Sequence, residues 1–331
     1  MQKRLKYYGK KLLKSAGKKK NLKQFLLKTN PDKNGLVLLE GNDYRYLVRV
    51  KRLAAGEFFP ALLPNGEEAQ MQIISVSGNT LTCKSCNESE SANRVCVPSF
   101  SPVLPPIILF QALPKGDKMD MIVRQAAESG ITEIVPFVSE FSVAKTKGDG
   151  QKFSRWERII KEARQQSGSK IATSIHMPLT INLLINYWEN LIKNETAGEK
   201  HAENPLGLLF HHIKIDFENA NSVYSKFFKK VLDKNPLGFY HKASYIEYNL
   251  NEACSLHNYL DSNPSIISVT IGPEGGFSDS EVSLFLENDF KPITIGDTIL
   301  RTETAALYCT AAVRTILLER DKWELNKQTA N

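Results

Sequence analysis

The chain has 331 residues, enough for about two domains. Its 42% hydrophobic and 24% charged residues are those of a folded globular protein, which excludes a chain disordered throughout, a collagen-like chain and a disulfide-stapled one. The net charge of +7 is uneven: residues 1–30 hold eleven Lys and Arg and no acid, leaving 32 basic against 36 acidic residues in the rest, a net of −4.

The first element is therefore a basic arm over residues 1–34. Lysines without carboxylates suit a phosphate backbone, where each neutralised phosphate releases counterions. A solubilising tail is the plain alternative, and a mitochondrial presequence is disfavoured by the dominance of Lys over Arg. Residues 1–30 lack the apolar h-region of a secretory signal. No stretch approaches the ~20 apolar residues of a membrane span, since the run Val103 to Leu113 is broken by Pro105 and Pro106. Five cysteines fit a reducing cytoplasm better than a disulfide framework.

Residues 35–100 form the next unit. Leu36 to Leu39, Tyr44 to Leu53, Phe58 to Leu63, Met71 to Val76 and Thr80 to Lys84 are short and rich in β-branched or aromatic residues. Gly41-Asn42, Ala55-Gly56, Pro64-Asn65-Gly66 and Ser77-Gly78-Asn79 punctuate them at about ten-residue spacing, which predicts a small antiparallel barrel or sandwich. Tyr44, Tyr46, Phe58 and Phe59 are placed in its core rather than as stacking platforms for bases. Cys83-x-x-Cys86 with Cys96 lacks a fourth ligand nearby, and Leu81, Cys83 and Ser85 alternate along a strand, so no metal is expected. The proline-rich stretch Pro98 to Pro106 marks a boundary.

Residues 101–331 follow a different pattern. Ile107 to Ala112, Ile131 to Phe137, Leu206 to Phe210 and Ile266 to Ile271 are predicted strands. Lys118 to Ser129, stopped by Gly130, and Trp156 to Gln166, stopped by Gly168, are predicted helices. Strands alternating with helices give an α/β layer fold with a mostly parallel sheet. Residues 181–204 and 213–262 are polar and weakly patterned, and supply extra helices and loops.

The chemistry concentrates in Ile271-Gly272-Pro273-Glu274-Gly275-Gly276-Phe277-Ser278. Ser278 and Glu281 form an S-x-x-E capping box, so a helix starts at about Asp279 and the glycines occupy a tight strand-to-helix turn. Such a turn lets a ligand approach bare backbone. A second unit follows: a short strand Ile293 to Ile295, Gly296-Asp297, then Thr298 to Thr304. After it, Ala305, Ala306, Cys309, Ala312, Val313, Ile316 and Leu317 recur at helical spacing. Two glycine-bearing loops at the carboxyl ends of strands make a crevice for a nucleotide-like ligand, with ordinary tight turns as the plain alternative. Gly148-Asp149-Gly150 is a lone G-x-G without the strand and helix of a dinucleotide fingerprint, and no P-loop is present.

Together, IGPEGGFSDSEV and IGDTILRTETAALYCTAA closely resemble the ribosomal RNA small-subunit methyltransferase E family of the SPOUT, or trefoil-knotted, methyltransferases. Gln111 to Phe137 resembles that family's first strand, Lys-bearing loop and helix, and Arg155 to Ser169 its next helix. Leu208-Leu209-Phe210-His211 resembles the strand ahead of one cofactor loop. Tyr46-Leu47 with Val50-Lys51-Arg52 resembles its PUA-like RNA-binding barrel. The resemblance spans about Gly35 to Arg320, with interruptions. It implies a PUA-like β-barrel at 35–100 and a trefoil-knotted α/β domain at 101–331, with an insertion around 213–262. It implies S-adenosyl-L-methionine bound by Phe210, His211, Ile271, Gly272, Pro273, Glu274, Gly275, Gly276, Ile295, Gly296, Ile299, Leu300, Arg301, Thr302, Thr304 and Ala305. It further implies 16S rRNA of the small ribosomal subunit as substrate, with RNA contacts at Arg45, Arg49, Arg52, Lys115 and Lys118. It implies N3-methyluridine as the product and a cytoplasmic homodimer as the enzyme, while the sequence itself leads to expect no membrane and no metal. Three features depart from the family: the long basic N-terminus, Arg45-Tyr46-Leu47 in place of a His-His-Leu, and about thirty extra residues after His212.

The proposed chemistry limits the roles available. Uridine N3 is a poor nucleophile while it holds its proton, so a base must remove the proton or a cation must stabilise the anion shared with the two carbonyls. Arg301 is the candidate for the second role, since its planar fork suits a carbonyl or phosphate; pairing with Glu303 or Glu274 is its plain alternative. Glu274 and Glu303 are candidates for general base, cofactor contact or loop brace, and the sequence leaves these roles unseparated. Two other functions remain in view: methylation of another RNA position such as a ribose hydroxyl, and a non-catalytic RNA-binding ribosome-assembly factor.

Overall fold

The computed structural model describes residues 22–86, 104–143, 149–196, 204–211, 255–294 and 298–328. It divides into two compact units, Met1–Ser99 with Arg164–Lys170, and Phe100–Ala163 with Ile171–Asn331. Most of the basic arm, Cys96, Ile295, Gly296 and the greater part of the insertion lie outside the described residues.

The first unit is a five-stranded sheet of β1 (Phe25–Leu26), β2 (Leu36–Glu40), β3 (Phe58–Leu62), β4 (Glu68–Ser77) and β5 (Thr80–Cys86), in the order β1-β3-β4-β5-β2. All its pairings are antiparallel except that of β1 with β3. Phe25, Leu47, Phe59, Met71, Ile73, Leu81 and Cys83 fill its core, and burial pushes the Cys83 thiol up to about 12. Two sequence readings need correction here. The predicted strand Tyr44 to Leu53 is helical: α1 (Gly41–Tyr44) runs into a π-helical stretch, Arg45–Val50. Alternating Tyr44, Tyr46, Val48 and Val50 imitates a strand, but the buried positions are Asp43, Tyr44, Leu47 and Lys51, which is helical spacing. Gly41, at φ +59°, supplies the left-handed turn out of β2. Phe58, expected in the core, is 50% exposed while its neighbour Phe59 is buried. Consecutive strand residues face opposite sides, so only one of the two can point inward.

The second unit is a parallel seven-stranded sheet. Its strands are β6 (Ile107–Ala112), β7 (Glu133–Val138), β8 (Ser174–Ile175), β9 (Leu179–Thr180), β10 (Pro205–Phe210), β11 (Ile266–Ile271) and β12 (Lys291–Ile293). The order is β12-β10-β11-β6-β7-β8, with β9 also pairing β7. β6, β10 and β11 are apolar along most of their length, as strands covered on both faces must be. The short strand expected at Ile293 to Ile295 is instead Lys291–Ile293, an edge strand that tolerates Pro292.

The helices are α2 (Lys118–Glu128), α3 (Asp149–Ser167), α4 (Ile181–Thr196), α5 (Leu256–Leu260), α6 (Asp279–Glu287) and α7 (Thr302–Gln328). α3 starts two turns before the predicted Trp156. Residues of α2, α3, α5 and α7 pack on Ile107, Leu109, Leu208, Val269 and Ile271. α4 and α6 pack on the opposite face, against Ile108, Phe110, Val135, Phe137 and Leu209. Gly207 is required in β10 because a Cβ there would lie 2.9 Å from Cδ1 of the buried Phe290 ring. α4 is also fastened by Tyr187, which donates to Glu133 at the start of β7, while His176 pairs with the same carboxylate. Burial pushes the Glu133 carboxyl up, but the bonds from His176 and Tyr187 outweigh it and leave it below its ordinary value.

Candidate active site

Parallel register brings the strand ends into one line. Ile293 pairs with Phe210, Phe210 with Ile271, Ile271 with Gln111 and Gln111 with Pro136. The loops leaving these strands therefore share one edge of the sheet, the usual edge for ligands in open α/β folds.

The loop after β11 turns tightly, with the Gly276 amide donating to the Pro273 carbonyl at 2.9 Å and Gly276 at φ +74°. Only glycine accepts that conformation without strain. The next residue, Phe277, is buried and stacks on Phe137 at 6.3 Å, with the His211 ring 5.9 Å away. α6 begins at the predicted capping box: Ser278 Oγ accepts from the Glu281 amide, and Glu281 accepts from the Ser278 amide. Glu281 does more than cap. It also accepts from Ser139 Oγ at 3.0 Å and from the Glu140 amide at 2.8 Å, holding the loop after β7. Phe141 from that loop lies over Gly275, so closely that a Cβ there would stand 2.8 Å from Phe141 Cβ.

A second connection joins the loops to α7. Thr302 Oγ1 donates to the Gly272 carbonyl at 2.7 Å and accepts from Gln111 Nε2 at 3.0 Å. Gln111 and Thr302 are both buried, and Gln111 Oε1 has no partner among the described residues. Sequence reasoning passed over Gln111, although a glutamine near the end of the apolar run Ile-Ile-Leu-Phe was the available signal.

Charge gathers beside this connection. Lys118 Nζ lies 2.7 Å from Glu274 Oε1 and 3.3 Å from Glu303 Oε2, and the Lys115 amide donates to Glu274 at 3.2 Å. The hydrogen bond to Glu274 raises the Lys118 pKa. Burial pushes Glu274 up, but the bonds from Lys118 and from the backbone amides of Glu274 and Lys115 leave it below its ordinary value. The alternative pairing of Arg301 with these glutamates is not formed. Arg301 is exposed and ends the loop before α7, where its carbonyl accepts from the Ala305 amide at 2.7 Å. Its guanidinium has no ion pair among the described residues.

The remaining predicted cofactor residues that the structure describes differ widely in exposure. Phe210, Ile271 and Pro273 are buried, Gly272, His211, Leu300 and Ala305 half-buried, and Thr304 exposed, while Ile299 is 77% exposed. Arg45, Arg49 and Arg52 are exposed on the first unit.

The RNA methyltransferase domain family matches residues 102–219 and 225–314, and the RNA methyltransferase PUA domain family matches residues 39–85. The chain belongs to the RNA methyltransferase family. Among its relatives is the ribosomal RNA small subunit methyltransferase E of Bacillus subtilis, 24% identical over 86% of this chain and 92% of that protein. The protein of the same name from Mesomycoplasma hyopneumoniae is 28% identical over 75% of this chain and 76% of its own length. The crystal structure of the Neisseria gonorrhoeae ribosomal RNA small subunit methyltransferase E, bound to S-adenosyl methionine, matches with a TM-score of 0.63 at 21% identity. That match covers 88% of this chain and 97% of the Neisseria chain, and it establishes the shared fold.

Proposed function

We propose that this RNA methyltransferase transfers a methyl group from S-adenosyl-L-methionine to N3 of a uridine in 16S rRNA of the small ribosomal subunit. The observation that carries the reading is the Gln111–Thr302–Gly272 connection. It joins a glycine loop to the start of α7 at the carboxyl edge of a parallel sheet, beside an unpaired Arg301. The residues present fit the cofactor: the tight glycine loop Gly272 to Gly276, apolar Ile271 and Leu300, and the unsatisfied buried Gln111 Oε1 suit an adenine and a ribose. When bound, S-adenosylmethionine supplies a methyl group on a sulfonium, whose departure needs no acid. The chain's own work is then on the uridine. Glu274 or Glu303 accepts the N3 proton, and the Arg301 guanidinium stabilises the anion spread over N3 and the two carbonyls. Fixing the base in position contributes further.

The rest of the assembly follows the same reading. The chain leaves β12 and reaches Thr302 beside β11 and β6, a path that supports a trefoil knot threaded at this edge. α7 turns Leu307, Tyr308, Ala311 and Leu318 outward at helical spacing, an apolar stripe that supports a homodimer joined next to the site. The PUA-like unit, with Arg45, Arg49 and Arg52, and the basic arm hold the rRNA backbone, and the enzyme works in the cytoplasm.

Primer extension on 16S rRNA from a deletion strain tests the reaction. Loss of one reverse-transcription stop supports N3 methylation, which blocks base pairing. An unchanged stop pattern refutes it and favours a ribose target. Calorimetry with S-adenosylmethionine tests the cofactor, since a pure binding factor need not take it up. Arg301→Ala lowers turnover on small subunits sharply with little loss of cofactor affinity; unchanged turnover removes Arg301 from its role.

A further inference from the structure

Lys118 begins α2, just after β6, and its side chain is 33% exposed. Two carboxylates meet on its ammonium, from segments far apart in the chain: Glu274 on the loop after β11 and Glu303 in the first turn of α7. One donor of the ammonium bonds Glu274 Oε1, and Glu303 Oε2 lies at ion-pair distance without a hydrogen bond. A phosphate approaching Lys118 would meet two negative groups at close range, so the local charge of the three side chains together is −1 and repels an RNA backbone. Lys115 and Arg301, by contrast, are exposed and their side chains have no ion pair among the described residues.

We propose that Lys118 is the internal counter-ion of the site and not a contact to RNA: through Glu274 and Glu303 it locks the β11 loop to the start of α7, and thereby positions the two segments that hold the cofactor. This rests on the methyltransferase reading above. Lys118 is a positioning residue, and Lys115 and Arg301 are left as the cations of this edge that meet the substrate.

The test uses the full chain, a short uridine-containing RNA hairpin and S-adenosylmethionine. Lys118→Met should weaken cofactor binding about tenfold or more while leaving the salt dependence of hairpin binding unchanged. Lys118→Arg should recover much of the loss, because a guanidinium also spans two carboxylates. Coupling provides a second readout: Lys118→Met and Glu303→Gln together should lower the thermal midpoint by less than the sum of the single effects. The proposal is overturned if Lys118→Met flattens the log–log salt slope by about 0.7–0.9, the value of one lost phosphate contact, with cofactor affinity intact. Additive midpoints overturn it as well. A wild-type chain that takes up no S-adenosylmethionine would sink the functional reading instead, and the slope and the coupling would still judge Lys118.

Discussion

Gly275→Ala is the sharpest steric probe of the loop proposed to hold the cofactor. The added methyl would lie 2.8 Å from Phe141 Cβ and 3.3 Å from its Cγ. An ordinary carbon contact needs roughly 3.5 Å, so one of the two loops must retreat by about 0.7 Å. The backbone at Gly275 is not left-handed, so alanine adds no conformational strain there. Phe141 cannot relieve the clash by changing rotamer, because the contact is to Cβ itself. Retreat is also resisted by Glu281, which holds Ser139 and Glu140 just upstream. Overpacking costs about 1–3 kcal/mol in closed sites; since Phe141 is partly exposed, the lower end of that range applies, about 1–1.4 kcal/mol or a five- to tenfold loss in affinity. Calorimetric titration with S-adenosylmethionine reads this directly. Phe141→Gly in the same chain should restore binding, whereas Phe141→Ala, which keeps the offending carbon, should not. Wild-type affinity in Gly275→Ala, or equal rescue by the alanine and glycine partners, would refute the packing argument.

Two further outcomes follow from the same geometry. Phe285 is fully buried against Phe137, Phe277 and Phe290, at ring separations of 6.3, 5.5 and 5.0 Å; Phe285→Ala should cost about 3–5 kcal/mol in denaturant unfolding, and a loss below about 1 kcal/mol would mean the ring is not packed as described. The ion cluster predicts a pH signature. Glu274 sits below its ordinary value of 4.5, so its stabilisation is present above that pH and lost as pH falls through the depressed value, while the raised Lys118 stays charged beyond 10.5. The wild-type thermal midpoint should therefore fall more steeply on acidification below about pH 4.5 than that of Lys118→Met; parallel acid limbs would contradict the pairing.

What the sequence disclosed is the local part of this architecture. The box at Ser278 and Glu281 spans one turn of chain and was legible as three-residue spacing, as were the apolar strands β6, β10 and β11 and the stop at Gly130. Local pattern misled where two periods overlap. The alternation through Tyr44, Tyr46, Val48 and Val50 fits a strand, and only burial at Asp43, Tyr44 and Leu47 reveals the helix. The contacts that assemble the site could not be read at all, because they cross the chain. Gln111 meets Thr302 over 191 residues, Lys118 meets Glu274 over 156, and Glu281 reaches Ser139 over 142. Residue type marks Lys118 as a cation fit for phosphate; only its neighbours in space reveal that its charge is already engaged.

The Thr302 hydroxyl has a consequence in time. During synthesis the chain emerges with β6 and its glutamine long before the residue that completes the connection, and the Gly272 carbonyl also precedes that partner. The Gln111–Thr302–Gly272 connection, on which the proposed donor site is built, therefore closes only once the start of α7 has been made and docked.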